Sequence, residues 1–514
     1  MKGRKKHNSG IVMVTIALFF LSTVNVLAFD VQQQQEKMEI KISTNSPSVI
    51  NYMGNVQISS DPLDEQHPTI TAAPDGSILV AYDRQVSALE GHIYFMRSID
   101  GNTWSEIYNT NTGDMAEGMQ NWPGLIVPPG SNILYGVWND DATNYQYVMY
   151  ATDPADPSTW DIGYLDQSGQ DYDRVGYDMA AIDETTWGWC FIGHVEYAGY
   201  DLPRAIESEF GLGTWEEVTF SWTGDQYYPT TYNSDIAATT NNFWIVWEFY
   251  NESHPKKGIG IHWGNPNEEG DIALWPVTTI EGAHNYADPT VGASGNNICI
   301  VYMTNDNIYG DFDLACKYST DEGNTWQDST LPSLPQVDEK SPEIFVSGST
   351  VFCTFVRNGN LYLTKSTDLG ATWEEPEQIN DQDGTVVDEL GAVEISPAGI
   401  VWVDTRNGNK DIYYAPLPTA ILNVEAISGG MGITATITNT GTEDATGVAW
   451  SIDVSGLVFV GKHTEGTIDI PAGSEATISS GMVFGIGPGT ITVTVGGVSR
   501  TASCFILGPL VLGV

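Results

Sequence analysis

Basic residues are scarce. The 514-residue chain has 20 Lys and Arg against 66 Asp and Glu, a formal net charge of −46. Charged residues make up only 17% of it, below the roughly 25% of ordinary globular proteins. The imbalance is therefore a shortage of bases and not a surfeit of acids. A chain so poor in cations repels phosphates, which excludes nucleic acid as a partner. Cysteine is sparse as well. There are five, an odd number, and no C-x-x-C, so no cysteine-based metal knuckle is indicated. A nucleophile elbow, P-loop, H-E-x-x-H and dinucleotide fingerprint are all missing. Long apolar runs are missing with one exception. Ile11 to Ala28 follows Lys2, Arg4, Lys5 and Lys6 and ends on Val26-Leu27-Ala28, the pattern of a cleaved export signal over residues 1–28. The rival reading is an uncleaved anchor, for which about 18 residues is the lower limit. Residues 29–48 read as a polar, flexible lead-in.

What is present is glycine, 53 residues, with 11% aromatics and 41% hydrophobic residues, a packed and turn-rich composition. A repeat organises it. Tyr318 to Trp326 reads Y-S-T-D-E-G-N-T-W and Lys365 to Trp373 reads K-S-T-D-L-G-A-T-W. Both fit S-x-D-x-G-x-T-W, through Ser319, Asp321, Gly323 and Trp326, and Ser366, Asp368, Gly370 and Trp373. Arg97 to Trp104 holds the same box one residue short, with Ser98, Asp100 and Trp104. Tryptophans at 104, 160, 215, 275, 326 and 373 continue the series at a period of about 54 residues. Before each box runs a β-branched or aromatic strand, such as Leu79 to Tyr82, Cys299 to Tyr302 or Cys353 to Val356. Before that comes another strand, often opening X-Pro, where proline costs no ladder bond. The period therefore holds a four-stranded antiparallel unit.

The box resembles the Asp-box (BNR) repeat of the sialidase superfamily. That resemblance implies a β-propeller with the boxes on turns between third and fourth strands, where they serve structure and not chemistry. Six box-position tryptophans imply six units. Leu390 to Pro416 supplies the strands of a seventh, which Asn55 to Ser59 completes. The expected fold is all-β: a seven-bladed β-propeller over 49–418, closed by its N-terminal strand, then a small β-sandwich over 419–514. The sandwich alternates with period two in Ile433 to Thr438 and Thr490 to Val495. It resembles the immunoglobulin-like modules of secreted prokaryotic and archaeal surface proteins. The apolar tail from Phe505 to Val514 is too short to span a bilayer as a helix and reads as a last strand, with attachment to a cell envelope left open. Cys190, Cys299 and Cys353 occupy one equivalent buried slot in different units, too far apart to bridge. Cys316 could face Cys299 across a hairpin.

The resemblance places ligands on the face opposite the boxes. Loops leading into first strands bring His67, Trp122, Tyr228 and Asp288 there. Loops after second strands bring Asp83, Glu248 and Asp404. Rings and carboxylates around a funnel suit a sugar, and each is equally a turn or core residue. A sialidase also needs an arginine clamp for the substrate carboxylate. The family's Arg-Ile-Pro motif is absent, its counterpart being His67-Pro68-Thr69-Ile70. Arg84, Arg357 and Arg406 follow second strands in neighbouring units, and either cradle one anion or form local ion pairs with acids such as Asp83 and Asp404. No catalytic residue is assignable by spacing. No cofactor is implied; Asp381-Gln382-Asp383-Gly384 is a calcium-loop fragment without its distal Glu, so calcium stays an open alternative. Three functions remain open for a secreted or surface-displayed monomer: a glycan- or surface-protein-binding propeller with little or no catalysis, an exo-acting glycoside hydrolase, and a structural component of the cell envelope.

Overall fold

The computed structural model describes residues 55–514 except 88–89, 112–117, 143–144, 167–174, 184–186, 196–199, 209–214, 220–229, 252–253, 267–271, 419, 421, 440, 442–443, 497 and 514; within 164–232, 251–256 and 265–276 few side chains are described. The expected export signal and lead-in fall outside these residues, as do Tyr228 and the side chains of Cys190, Trp215 and Trp275.

The chain is all-β, and its larger part has a propeller fold. Its first sheet runs Glu65–Ala72, Ile78–Ser87, Glu90–Ser98 and Ser105–Asn109, each strand antiparallel to the one before. Five further four-stranded sheets repeat this plan, beginning at Gln120–Ile126, Val175–Ala181, Thr230–Ala238, Tyr286–Ser294 and Glu339–Ser347. Another contains Val393–Ser396, Gly399–Asp404 and Asp411–Ala415, and its outer strand is the early segment Val56–Gln57, with Val56 opposite Tyr414. Second strands are apolar on both faces because each sheet is covered on both sides. Leu134–Asp140 and Gly399–Asp404 are buried throughout. The core is accordingly divided into clusters between successive sheets. One of them joins Ile70, Val80 and Tyr82 of the first sheet to Val401, Ile412 and Tyr414.

The boxes follow third strands. The Ser98, Ser319 and Ser366 hydroxyls accept the backbone N–H of Gly101, Gly323 and Gly370 at 2.9, 2.9 and 2.7 Å. Asp100, Asp321 and Asp368 accept the N–H of Thr103, Thr325 and Thr372, each at 2.8 Å. These bonds hold all three carboxyls below the ordinary range, through backbone N–H donors first at Asp100 and Asp321 and the Thr372 hydroxyl first at Asp368. The tryptophans pack on the preceding sheet: Trp104 edge-on to Tyr414 at 5.3 Å, Trp160 to Phe95 at 5.0 Å and Trp326 to Trp244 at 5.7 Å. Gly323 shows why the box requires glycine. Its φ is +76°, and a Cβ there would lie 2.1 Å from the Trp244 ring. Gly323→Ala therefore combines left-handed strain with overpacking and should cost about 2–3 kcal/mol in a denaturant titration.

After Leu417 the pattern changes. A three-stranded sheet, with Gly432–Asn439 between Leu422–Ser428 and Glu475–Met482, packs on a five-stranded sheet built on Ala445–Val460, Phe484–Val495 and Val498–Gly508. Their shared core includes Ile433, Ile437, Ile452, Ile491, Val493 and Ile506. The apolar tail is strand, ending in Leu510–Leu512. Cys299, Cys316, Cys353 and Cys504 are buried free thiols. Cys316 lies opposite Val301, not Cys299, although the two sulfurs come within 3.5 Å. Among the described residues no helix is long and apolar enough to cross a membrane.

Candidate functional site

The first strands build the site. The register of the first strand breaks at one place in six of the described sheets, as between Gln66 and Thr69, Asn121 and Gly124, or Lys340 and Glu343, and runs unbroken at Val393–Ser396. The residue at the break is forced to positive φ: His67 (46°), Trp122 (52°), Asn233 (24°), Asp288 (48°) and Ser341 (50°). This bulge turns one side chain into the funnel mouth and sends the residue two positions on toward the centre. The sequence pattern X-Pro finds four of these positions and misses Asn233, which precedes Ser234. The X-Pro pattern points instead to Tyr228-Pro229, but the register break of that sheet falls between Tyr232 and Ser234. Asn233 is thus the positional equivalent, and Tyr228 lies outside the described residues.

Two positions farther, the register aligns Thr69, Gly124, Asp178, Asp235, Thr290, Glu343 and Glu394. Four are acids. They surround a channel whose cavity is about 780 Å³. Thr290 Oγ1 lies 2.9 Å from Asp235 and 3.4 Å from Glu343. Burial pushes Asp235 to about 6 and Glu394 to about 8, and it raises Asp178 and Glu343 with help from the other acids of the ring. None of the four stood out by sequence alone, because only alignment of first strands brings them together.

One wall of the mouth is aromatic. His67 stacks on Trp122 with centroids 3.5 Å apart, and Asp83 accepts from His67 Nδ1 at 2.6 Å and from the Trp122 N–H at 3.3 Å. Gly391 seats this pair, since a Cβ would lie 2.4 Å from the indole. The other wall carries two carboxylates. Asp288 accepts from Asn233 Nδ2 at 2.6 Å, and its backbone N–H donates to Glu248 at 3.0 Å. Glu248 pairs through its second oxygen with Lys257. Burial first and the Glu248 charge second push Asp288 up to about 7. Both acids line a cavity of about 310 Å³ with Lys257, Lys340, Ser341 and Asp388. Its wall at Asn233 and Leu390 adjoins the His67–Trp122 pocket.

The three arginines are not gathered into this site. Arg84 bonds Glu65 at 2.8 Å and stacks over Tyr94 at 3.9 Å. Arg357 bonds Glu339 at 2.9 Å and lies over Tyr362 at 4.9 Å. Arg406 bonds Asp404 at 2.7 Å and Asp381 at 2.5 Å and lies over Tyr413 at 4.1 Å. Each guanidinium is thus held by its own acid and a third-strand ring, and none lines the cavities above. Asp381 is engaged by Arg406, and Asp383 accepts from Gln378 at 2.9 Å, so both acids of the calcium-loop fragment have protein partners. Asp404 is fully buried. Arg406→Ala would leave that charge uncompensated, and we expect a loss of about 3 kcal/mol in thermal unfolding with saccharide binding unchanged.

No family model and no curated protein matches the chain. Among solved structures it is similar to an α-L-arabinanase of Penicillium chrysogenum complexed with arabinobiose (16% identity, 71% of this chain and 97% of that chain, TM-score 0.40). It is also similar to the α-L-arabinofuranosidase of Fusarium graminearum (11% identity, 70% and 96%, TM-score 0.40) and to the propeller domain of the trilobed protease of Pyrococcus furiosus (9% identity, 69% and 94%, TM-score 0.42). These likenesses concern the fold.

Proposed function

We propose that the chain is an exported, seven-bladed Asp-box propeller, closed by its early strand and followed by an immunoglobulin-like sandwich, which binds a neutral glycan in its funnel and hydrolyses a glycosidic bond there. The observation that carries this reading is the Glu248–Asp288 pair. Glycosidic cleavage needs one carboxyl that keeps its proton near neutral pH and one that stays ionised. Burial beside Glu248 gives Asp288 the first property, and Glu248, which lies against Lys257, takes the second role. In the proposed step Asp288 passes its proton to the departing oxygen as the C–O bond breaks. Water supplies the oxygen that replaces it at the sugar carbon, and its proton passes to Glu248. The stacked His67–Trp122 wall supplies an apolar platform for a sugar ring.

An anionic sugar fits poorly. The guanidiniums that would clamp it are committed elsewhere, and the channel presents four acids. The test is a panel of neutral and sialylated glycosides, read for both binding and turnover. Neutral glycans should bind and turn over; binding confined to sialosides, or to nothing, overturns the proposal. A second reading, binding without turnover, is favoured by the direct contact of Lys257 with Glu248, which occupies the oxygen that would receive water's proton. It predicts the same binding and no product.

A further inference from the structure

Part of the outer face of the C-terminal five-stranded sheet is apolar. Along Ala445–Val460 and Val498–Gly508, Val458 and Ile506 point inward and are buried. Their neighbours Leu457, Phe459, Phe505 and Leu507 point outward and are 48–64% exposed. Ile486 stands directly opposite Leu507, and Leu512 opposite Phe505, so the outward side chains run across adjacent strands. The rings of Phe459 and Phe484 close the row at 6.4 Å. Such a set of half-exposed large side chains amounts to roughly 800 Å², above the ~300–600 Å² of the largest patch on a typical monomer. It equals the ~800 Å² that one partner contributes to a standard interface.

Charge selects the occupant. From Gly481 to Val514 the only charged side chain is Arg500, and its guanidinium is turned to the carbonyls of Val424 and Glu425. Asp453 and Glu465, outward acids of the same sheet, are gathered at His463, so two copies of a chain with net charge −46 can meet over the apolar part without bringing acids together. A flat apolar sheet face is completed by another such face about 10 Å away, and an identical face supplies it. A bilayer is less well matched: no Trp or Tyr follows Trp450, so the aromatic belt of an interfacial anchor is missing. We propose that this face joins two copies of the chain into a dimer, sheet against sheet.

The test is sedimentation velocity of the full chain at micromolar concentrations, alone and with neutral-lipid vesicles. The wild type should sediment as a dimer. Phe459→Asp combined with Leu507→Asp should weaken self-association at least about a hundredfold, as expected for losing two buried anchors. Both positions face outward, so the far-UV circular dichroism spectrum should be unchanged, while the melting temperature should lose only the part that depends on protein concentration. Should that variant fail to fold, Ile486→Cys with a short bis-maleimide provides the alternative, and a cross-linked dimer absent from the unmodified chain is expected. A wild-type monomer throughout, a dimer indifferent to the double change, or a monomer that co-sediments with vesicles would each overturn the proposal.

Discussion

Melting temperatures measured from pH 4 to pH 9 should be highest in mildly acidic buffer and fall steadily toward alkaline pH. The cause is the set of carboxyls that burial holds above their ordinary values. Glu65, Asp288 and Glu339 stand at about 7, Asp235 at about 6 and Glu394 at about 8, with Asp178 and Glu343 raised as well. Unfolding returns each to about 4. Between these limits the folded chain binds more protons than the unfolded one, so stability is fully present below the unfolded value and is lost as pH rises through the folded one. The box acids have the opposite sign. Asp100, Asp321 and Asp368 are lowered, so what they contribute is present above about pH 4 and lost below it. The optimum therefore lies between about pH 4 and 6. A pH unit on one carboxyl is worth about 1.4 kcal/mol; with the channel open to solvent and the sum discounted for screening, the fall from pH 5 to 8 should be on the order of 5 kcal/mol. Glu343→Gln with Glu394→Gln should make it shallower, since Glu65, Asp288 and Glu339 remain. A Tm that peaks at pH 8 would mean that these acids do not share a channel.

The parts legible in the sequence were those that depend on contacts within one turn or one strand. The box states its own bonds, because Ser366, Asp368 and Gly370 act within five residues of each other. The X-Pro positions also announce a local event, the bulge at His67, Trp122, Asp288 and Ser341. What was not legible depends on register. Nothing near Asp178 or Glu394 shows that they face the same axis as Asp235 and Glu343, over two hundred positions apart at the extremes. Asn233 was missed because the bulge there needs no proline. The arginines were equivocal for a related reason: spacing brings Arg84 near the funnel, but the carboxyl that claims it, Glu65, is its cross-strand partner. The paired Glu339 and Arg357 repeat this arrangement. A buried base opposite a buried acid at the mouth end of a first strand is thus a local structural device in this fold.

Asp288→Asn should reduce glycoside turnover by about 10²–10⁴-fold, the range for removing a general acid, with ligand affinity changed little. The asparagine keeps the shape and can still accept from Asn233, so the pocket survives and only the transferable proton is lost. The wild-type rate should fall as pH rises through about 7, where Asp288 loses its proton, and the variant's residual rate should lack that limb. Glu248→Gln should be as damaging to turnover but differ in two ways. It removes the negative charge that helps to raise Asp288, so that carboxyl should titrate lower in this variant. It also strands the Lys257 ammonium beside a neutral amide, so some stability should be lost as well. A leaving group that departs without protonation separates the two roles: an activated aryl glycoside should restore much of the rate to Asp288→Asn and none to Glu248→Gln. Equal rescue of both, or turnover indifferent to either change while neutral glycans still bind, would exclude the pair from chemistry and leave the funnel as a binding site.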